Sequence, residues 1–303
     1  MCISSGSRKI IQLEVKQNKL TIVAFLIIVV IAGSNFVAVK YSNEELAPFW
    51  GAFLRFIMSS AILFLYAFAK NITIPKGKEL KGSLIYGFLS FGVAYALLYW
   101  SLLKVPAGIA SISLAIVPLF TFILAMLHGI EKFNSRVLLG SLVAAFGIGV
   151  VYKNQLTTNI PPPALLALIA ASVSIAESGV IVKLLPKIHP VSFNAVGMFI
   201  GSIVLLIFSI FAEEAKTLPF NLTAIISLAY LVFIGTITLF LLFLYVIRRW
   251  TATATSYQLV IAPLVTIALA SMLRGESIAA VALIGGVFVI FGVYLGALSS
   301  MKK

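Results

Sequence analysis

The sequence predicts an all-α polytopic membrane protein of ten spanning helices, arranged as two inverted five-helix repeats. Three observations predict it. Of 303 residues, 61% are hydrophobic and only 10% charged, where a soluble globular chain carries roughly 25% charged residues. The mean hydropathy of +1.14 over the whole length leaves no room for a large soluble domain. The apolar residues fall in ten runs, each close to the ~20 residues that a bilayer-spanning helix needs. Finally, the chain resembles itself after a shift of 145 residues.

The runs are separated by helix breakers and charge. The first, 20–40, follows a basic segment containing Arg8, Lys9, Lys16 and Lys19. Pro48 lies at the start of the second, 47–69, and the turn Pro75-Lys76-Gly77 separates it from the third, 81–102. Pro106 precedes the fourth, 107–128, and the fifth, 135–152, carries Gly140 and Gly147. Pro161-Pro162-Pro163 leads into the sixth, 163–184, and Pro186 and Pro190 flank the turn into the seventh, 191–212. The eighth, 223–247, lies between the acidic pair Glu213-Glu214 and the basic pair Arg248-Arg249. The ninth and tenth are 252–273 and 278–300. Prolines at run ends fit helix termini, and the ~10-residue alternation of a membrane β-barrel is missing.

The net charge of +13 is a topology signal rather than a nucleic-acid footprint, because the Lys and Arg residues sit in short connectors. With the N-terminus in the cytoplasm, 16 of the 22 fall on the cytoplasmic side, 5 outside, and Arg55 within a span. This separation predicts cytoplasmic termini and an even number of spans in a cell membrane. The single cysteine, Cys2, rules out an internal disulfide.

Residues 106–147 lie over 251–292 without a gap, with fourteen of 42 positions identical. The matches include Pro118 over Pro263, Glu131 over Glu276, Gly140 over Gly285 and Gly147 over Gly292. At a shift of 143, 33–40 lie over 176–183, which sets Glu177 over Ser34 and Ser178 over Asn35. The expected division is an N-terminal segment 1–19, a first repeat 20–152, a linker 153–160, a second repeat 161–300 and a tail 301–303. Five spans per repeat invert the second half relative to the first. Inverted repeats are a recurring plan of secondary transporters, with the site near the midplane between the halves.

Three stretches resemble the ten-helix branch of the drug/metabolite transporter superfamily, whose repeat is the EamA domain. They are Gly33 to Lys40 with Phe49-Trp50 and Leu54-Arg55-Phe56; Tyr99 to Glu131 with the Gly140/Gly147 helix; and Ile261-Ala262-Pro263 through Arg274-Gly275-Glu276 to Gly292. Ala32 and Val117 depart from the family pattern, which often has a Trp and an acidic residue there. The resemblance implies export or exchange of small polar metabolites such as amino acids or nucleobases, without ATP or a prosthetic group. It further implies a cavity lined by helices 1, 3, 4, 6, 8 and 9, with helices 5 and 10 peripheral.

The polar residues inside the runs are the site candidates, since a polar side chain at bilayer depth must face a partner or a cavity. Glu177 and Ser178, with their repeat mates Ser34 and Asn35, form the expected central cluster. Gln258, Tyr257, Ser111, Ser113, Tyr95 and Tyr99 are the further cavity candidates; Ser113 aligns with Gln258. Arg55 is read as a structural or gating residue. Pro118 and Pro263 are read as matched interruptions, serving as hinges or shaping the wall. Glu131 and Glu276 are read as caps, the repeat glycines as close helix packing, and Trp50 and Trp250 as interfacial belt residues. No Walker sequence, catalytic Ser-His-Asp set or metal-ligand cluster occurs, so the expectation is no cofactor, no metal and no enzyme. The expected partners are a small-molecule substrate and lipid, with no nucleic acid, and the expected state is a monomer. Scattered acidic residues argue against a lipid-modifying enzyme, and short loops against a scaffold. A multidrug, nucleobase or nucleoside exporter of the same fold is the alternative to a metabolite exporter.

Overall fold

The computed structural model describes residues 5–104, 110, 113–151, 153, 161–186, 188–274 and 280–301. All regular structure among them is helical. The ten apolar runs become α1 (Ser5–Ser42), α2 (Pro48–Ala69), α3 (Gly77–Leu102), α4 (Ser113–Leu127), α5 (Ser135–Val151), α6 (Pro162–Leu184), α7 (Pro190–Phe211), α8 (Leu222–Ile247), α9 (Ala252–Ser256 with Gln258–Arg274) and α10 (Ala280–Met301). Seven are long and apolar enough to cross a bilayer, α1 through its Lys19–Ser42 portion; α4, α5 and α10 provide the three shorter apolar stretches.

Local chemistry sets the ends. Proline occupies the first turn of α2, α6 and α7, where its missing N–H costs nothing. Acidic residues from one repeat cap helices of the other. Glu214 accepts from the Phe49 and Trp50 N–H groups at the start of α2, at 3.0 and 2.8 Å. Glu45 accepts from the Phe220 and Asn221 N–H groups ahead of α8. Glu131 accepts from the Thr253 N–H in the first turn of α9 at 3.1 Å. Each carboxylate satisfies otherwise orphaned donors and sits at the positive end of a helix dipole. Glu276, the repeat mate of Glu131, lies outside the described residues.

The pairing of helices follows a pseudo-two-fold axis. α1 packs against α8 and α9, and its repeat mate α6 packs against α3 and α4. α2 packs on α7, and α5 on α10, each pair being related to itself by the same axis. The α5–α10 crossing is made by the expected glycines. A Cβ on Gly140 would overlap the backbone of Gly292 and Gly296, and one on Gly147 that of Gly285 and Val289. Gly286 faces Leu264 instead and takes no part in that crossing.

The closest symmetry is in α3 and α8. Each runs as an α-helix, a six-residue π-helical segment and a second α-helix: Gly77–Gly87, Phe88–Val93, Ala94–Leu102, and Leu222–Val232, Phe233–Thr238, Leu239–Ile247. Every boundary is displaced by 145 residues. One belt assignment is corrected here. Trp250 is buried and packs its ring 5.2 Å from Phe25 of α1, because the α8–α9 turn folds its side chain inward. Trp50 donates its indole N–H to the Thr217 carbonyl at 2.7 Å.

Candidate transport cavity

A cavity of about 200 Å³ lies between the two halves. Its described wall comes from α1, α3, α4, α6, α8 and α9, with Arg55 the sole contribution of α2; α5, α7 and α10 supply none of it. The wall is chiefly apolar and aromatic, with Phe36, Tyr95, Tyr99, Phe240 and Phe243 around a few polar groups.

The polar centre is built on the π segment of α8. There the Leu239 N–H reaches the Ile234 and Thr236 carbonyls and leaves Gly235 O without its α-helical donor. Side chains from the other repeat fill the gap. Asn35 of α1 donates Nδ2–H to Gly235 O at 2.9 Å. Arg55 of α2 donates from Nη2 to the same oxygen at 2.8 Å and from Nε to Thr236 Oγ1. Arg55 is only 2% exposed, and no carboxylate lies within ion-pair distance of it among the described residues. Its guanidinium sits 5.2 Å from the Phe56 ring and 5.7 Å from the Tyr95 ring, a cation–π arrangement that offsets part of the burial cost. Tyr95 packs edge-on against Phe56, with ring centroids 4.8 Å apart.

Of the sequence candidates, Asn35, Tyr95, Tyr99, Ser178 and Gln258 line this cavity together with Arg55. The remaining candidates lie elsewhere. Ser34 turns to the Tyr230 hydroxyl of α8. Tyr257 is fully buried and shares a hydrogen bond with Ser141 of α5 at 2.9 Å, away from the cavity. Ser113 donates to the Ala110 carbonyl, and its own carbonyl accepts from Ser172 of α6. Glu177 pairs with His128 Nε2 at 3.0 Å on the α4–α6 seam, the two side chains being 25% and 39% exposed. Ser111 lies outside the described residues.

The matched prolines do not make matched interruptions. Pro118 follows a break at Ile116, in the first turn of Val117–Leu127. Pro263 lies within the continuous helix Gln258–Arg274, and α9 breaks at Tyr257 instead. The short turn Ala252–Ser256 is held by Thr251 and Glu131 caps, and the Tyr257 hydroxyl bonds to Ser141 of α5 at the point where the two helical segments meet. Neither proline lines the cavity.

Sequence reasoning missed Ser90, Phe240 and the acceptors Gly235 and Thr236. The signal was available: carrying the 145-residue shift back into α3 and α8 sets Ser90 against Gly235. Among the described residues, no group of three His, Cys, Asp or Glu side chains is placed to hold a metal ion.

Comparison with known proteins agrees with this geometry. The model of the EamA-like transporter family matches the chain twice, over residues 19–153 and 162–297. The chain is 27% identical to the "Uncharacterized inner membrane transporter YedA" of Escherichia coli K12 over 274 residues, covering 90% of this chain and 89% of that one. It is also 27% identical over 284 residues to a "Probable amino-acid metabolite efflux pump" of Salmonella typhimurium LT2, covering 89% and 92%. A solved crystal structure superposes with a TM-score of 0.80 at 13% identity, over 94% of this chain and 99% of the other; at that identity it speaks to the fold alone. The duplicated family match, the ten apolar helices and the cavity between the halves fit together: this chain belongs to the EamA-like transporter family and is a multi-pass integral membrane transporter, not an enzyme.

Proposed function

We propose that the protein exports small polar metabolites, amino acids or close relatives of them, by alternating access of the central cavity to the two sides of the membrane. The observation that carries this reading is the meeting of both repeats at one cavity, with Asn35, Arg55, Ser90, Ser178 and Gln258 set among the apolar and aromatic side chains of its wall. Polar side chains at membrane depth are costly unless they serve a partner or a ligand. Inverted repeats that share a central site supply the symmetry by which such a site can face either side. A relative described as an amino-acid metabolite efflux pump supports the substrate range.

Counterflow in proteoliposomes made with the purified chain tests the reading. Uptake of a labelled amino acid that saturates with concentration and requires unlabelled amino acid inside supports it. Flux that grows linearly with concentration for every compound overturns it.

The distribution of Lys and Arg supports cytoplasmic termini. Cys2 is the only cysteine, so a membrane-impermeant maleimide reads the N-terminal side directly. Labelling of intact cells from outside would reverse the assigned orientation.

A further inference from the structure

The cavity wall has an unbalanced charge. Arg55 is its only formally charged residue among those described, and no carboxylate faces it. Glu177, which would make an anionic site, is turned away to His128. A guanidinium has five N–H groups; among the described residues, Thr236 Oγ1 and Gly235 O engage two of Arg55's, which leaves three. The described partners of Arg55 are a hydroxyl, a carbonyl and two ring faces. These supply dipoles and quadrupoles but no counter-charge. A buried cation without a counter-ion is expensive, and a ligand that brings the counter-ion into the cavity recovers that cost. The planar fork of a guanidinium matches a carboxylate by paired hydrogen bonds.

The rest of the wall describes the body of that ligand. Phe36, Tyr95, Tyr99, Phe240 and Phe243 present apolar faces. Gln258, 6% exposed, brings an amide whose Oε1 has no partner among the described residues. A side-chain amide offers both donors and an acceptor and so supplies one further polar contact without adding charge.

We propose that this cavity selects small amphiphilic carboxylates, seating the carboxylate on the free N–H groups of Arg55 and the apolar or aromatic body against the facing rings. Compounds whose only charge is positive are rejected. The proposal rests on the transport reading and names the substrate class of the same site. An apolar α-amino acid qualifies as a zwitterion, and so does the 2-hydroxy acid of the same side chain; the corresponding amino-acid amide does not. Arg55 is therefore a specificity-determining residue as well as the anchor of α2 to α8.

Counterflow with the full chain in proteoliposomes provides the test. The panel holds phenylalanine and leucine, their 2-hydroxy acids, their amides, and uncharged nucleobases. With the unmodified chain, the acids compete for the labelled substrate, and the amides compete on the order of 100-fold more weakly, the scale of like-charge repulsion across several ångströms of protein. Arg55→Gln raises KM for the acids by roughly 10–100-fold, the scale of hydrogen bonds to a charged group. Arg55→Lys, which keeps the charge and loses the fork, recovers part of that change. Should Arg55→Gln fail to fold in detergent, the competition series on the unmodified chain decides alone. Amides that compete as well as acids, or an unchanged KM in a folded Arg55→Gln, overturn the proposal. Saturable flux confined to nucleobases or cations also overturns it, together with the amino-acid range of the transport reading, while leaving alternating access intact; no saturable flux of any compound defeats both.

Discussion

The π segments Phe88–Val93 of α3 and Phe233–Thr238 of α8 occupy repeat-related positions, and they are held in opposite ways. Both shift the helical hydrogen bond by one residue: the Ala94 N–H reaches Leu89 O, and the Leu239 N–H reaches Ile234 O. In α8 the released Gly235 carbonyl is taken by Asn35 and Arg55, so the segment is tied to α1 and α2 by polar side chains. In α3 the corresponding residue is Ser90, and no side chain among the described residues donates to its carbonyl. Ser178, the repeat mate of Asn35, is too short to cross and bonds to Ile175 of its own helix. The α3 segment is held instead by close packing on α7, where Gly87 meets the Gly197 backbone and Gly201 meets Phe91. The two repeats thus share a backbone deformation but stabilise it differently, by steric fit in one half and by hydrogen bonding in the other. The polar half is the one that brings a charge to the cavity wall.

This contrast can be broken at several points, and the largest effect belongs to the packed half. A Cβ on Gly87 would overlap the Gly197 backbone, which cannot move aside as a side chain can. Gly87→Val is expected to destabilise by about 3 kcal/mol, the upper range for overpacking, measured by unfolding of the detergent-solubilised protein. A stability equal to that of the unmodified chain would show that α3 and α7 are not in close contact. In the polar half, Thr236→Val removes the acceptor of Arg55 Nε and leaves a buried charged donor unpaired. Its expected cost is about 1.5–3 kcal/mol in the same measurement. Asn35→Ala is milder, because Gly235 O keeps Arg55. About 0.6 kcal/mol is expected, the average for interhelical hydrogen bonds in membranes. Ser178→Ala is expected to leave stability within about 0.5 kcal/mol, since its hydroxyl bonds only within its own helix. A Ser178→Ala cost matching that of Asn35→Ala would erase the difference between the halves. The smallest expected effect is on transport by Glu177→Gln, which leaves counterflow unchanged because Glu177 stands on the α4–α6 seam; loss of flux would return that residue to the mechanism.

The α3–α8 relation also marks where sequence legibility ended. The glycines of α5 and α10 announced the repeat because few residue types satisfy those backbone positions; Pro118 over Pro263 did so as well, although the two stand in different backbone settings. Along α3 and α8 the matching sequence is lost, since many apolar side chains serve equally well on a helix in lipid, yet the element boundaries remain 145 residues apart. The repeated deformation is a property of backbone hydrogen bonding and leaves little trace in residue identity.

The sequence by itself determined the order of the apolar helices, their duplication and the place of each polar group along its helix, because hydrophobic length and chain position fix these. Only the tertiary structure decided which way each polar group faces. Three neighbouring pairs show it: Ser34 and Asn35, Glu177 and Ser178, Tyr257 and Gln258. In each pair the second residue lines the cavity and the first meets a neighbouring helix instead. Adjacent residues on an α-helix point about 100° apart, so depth alone cannot separate them. The rotation of each helix is set by the ridges, glycines and hydrogen bonds of the helices packed around it.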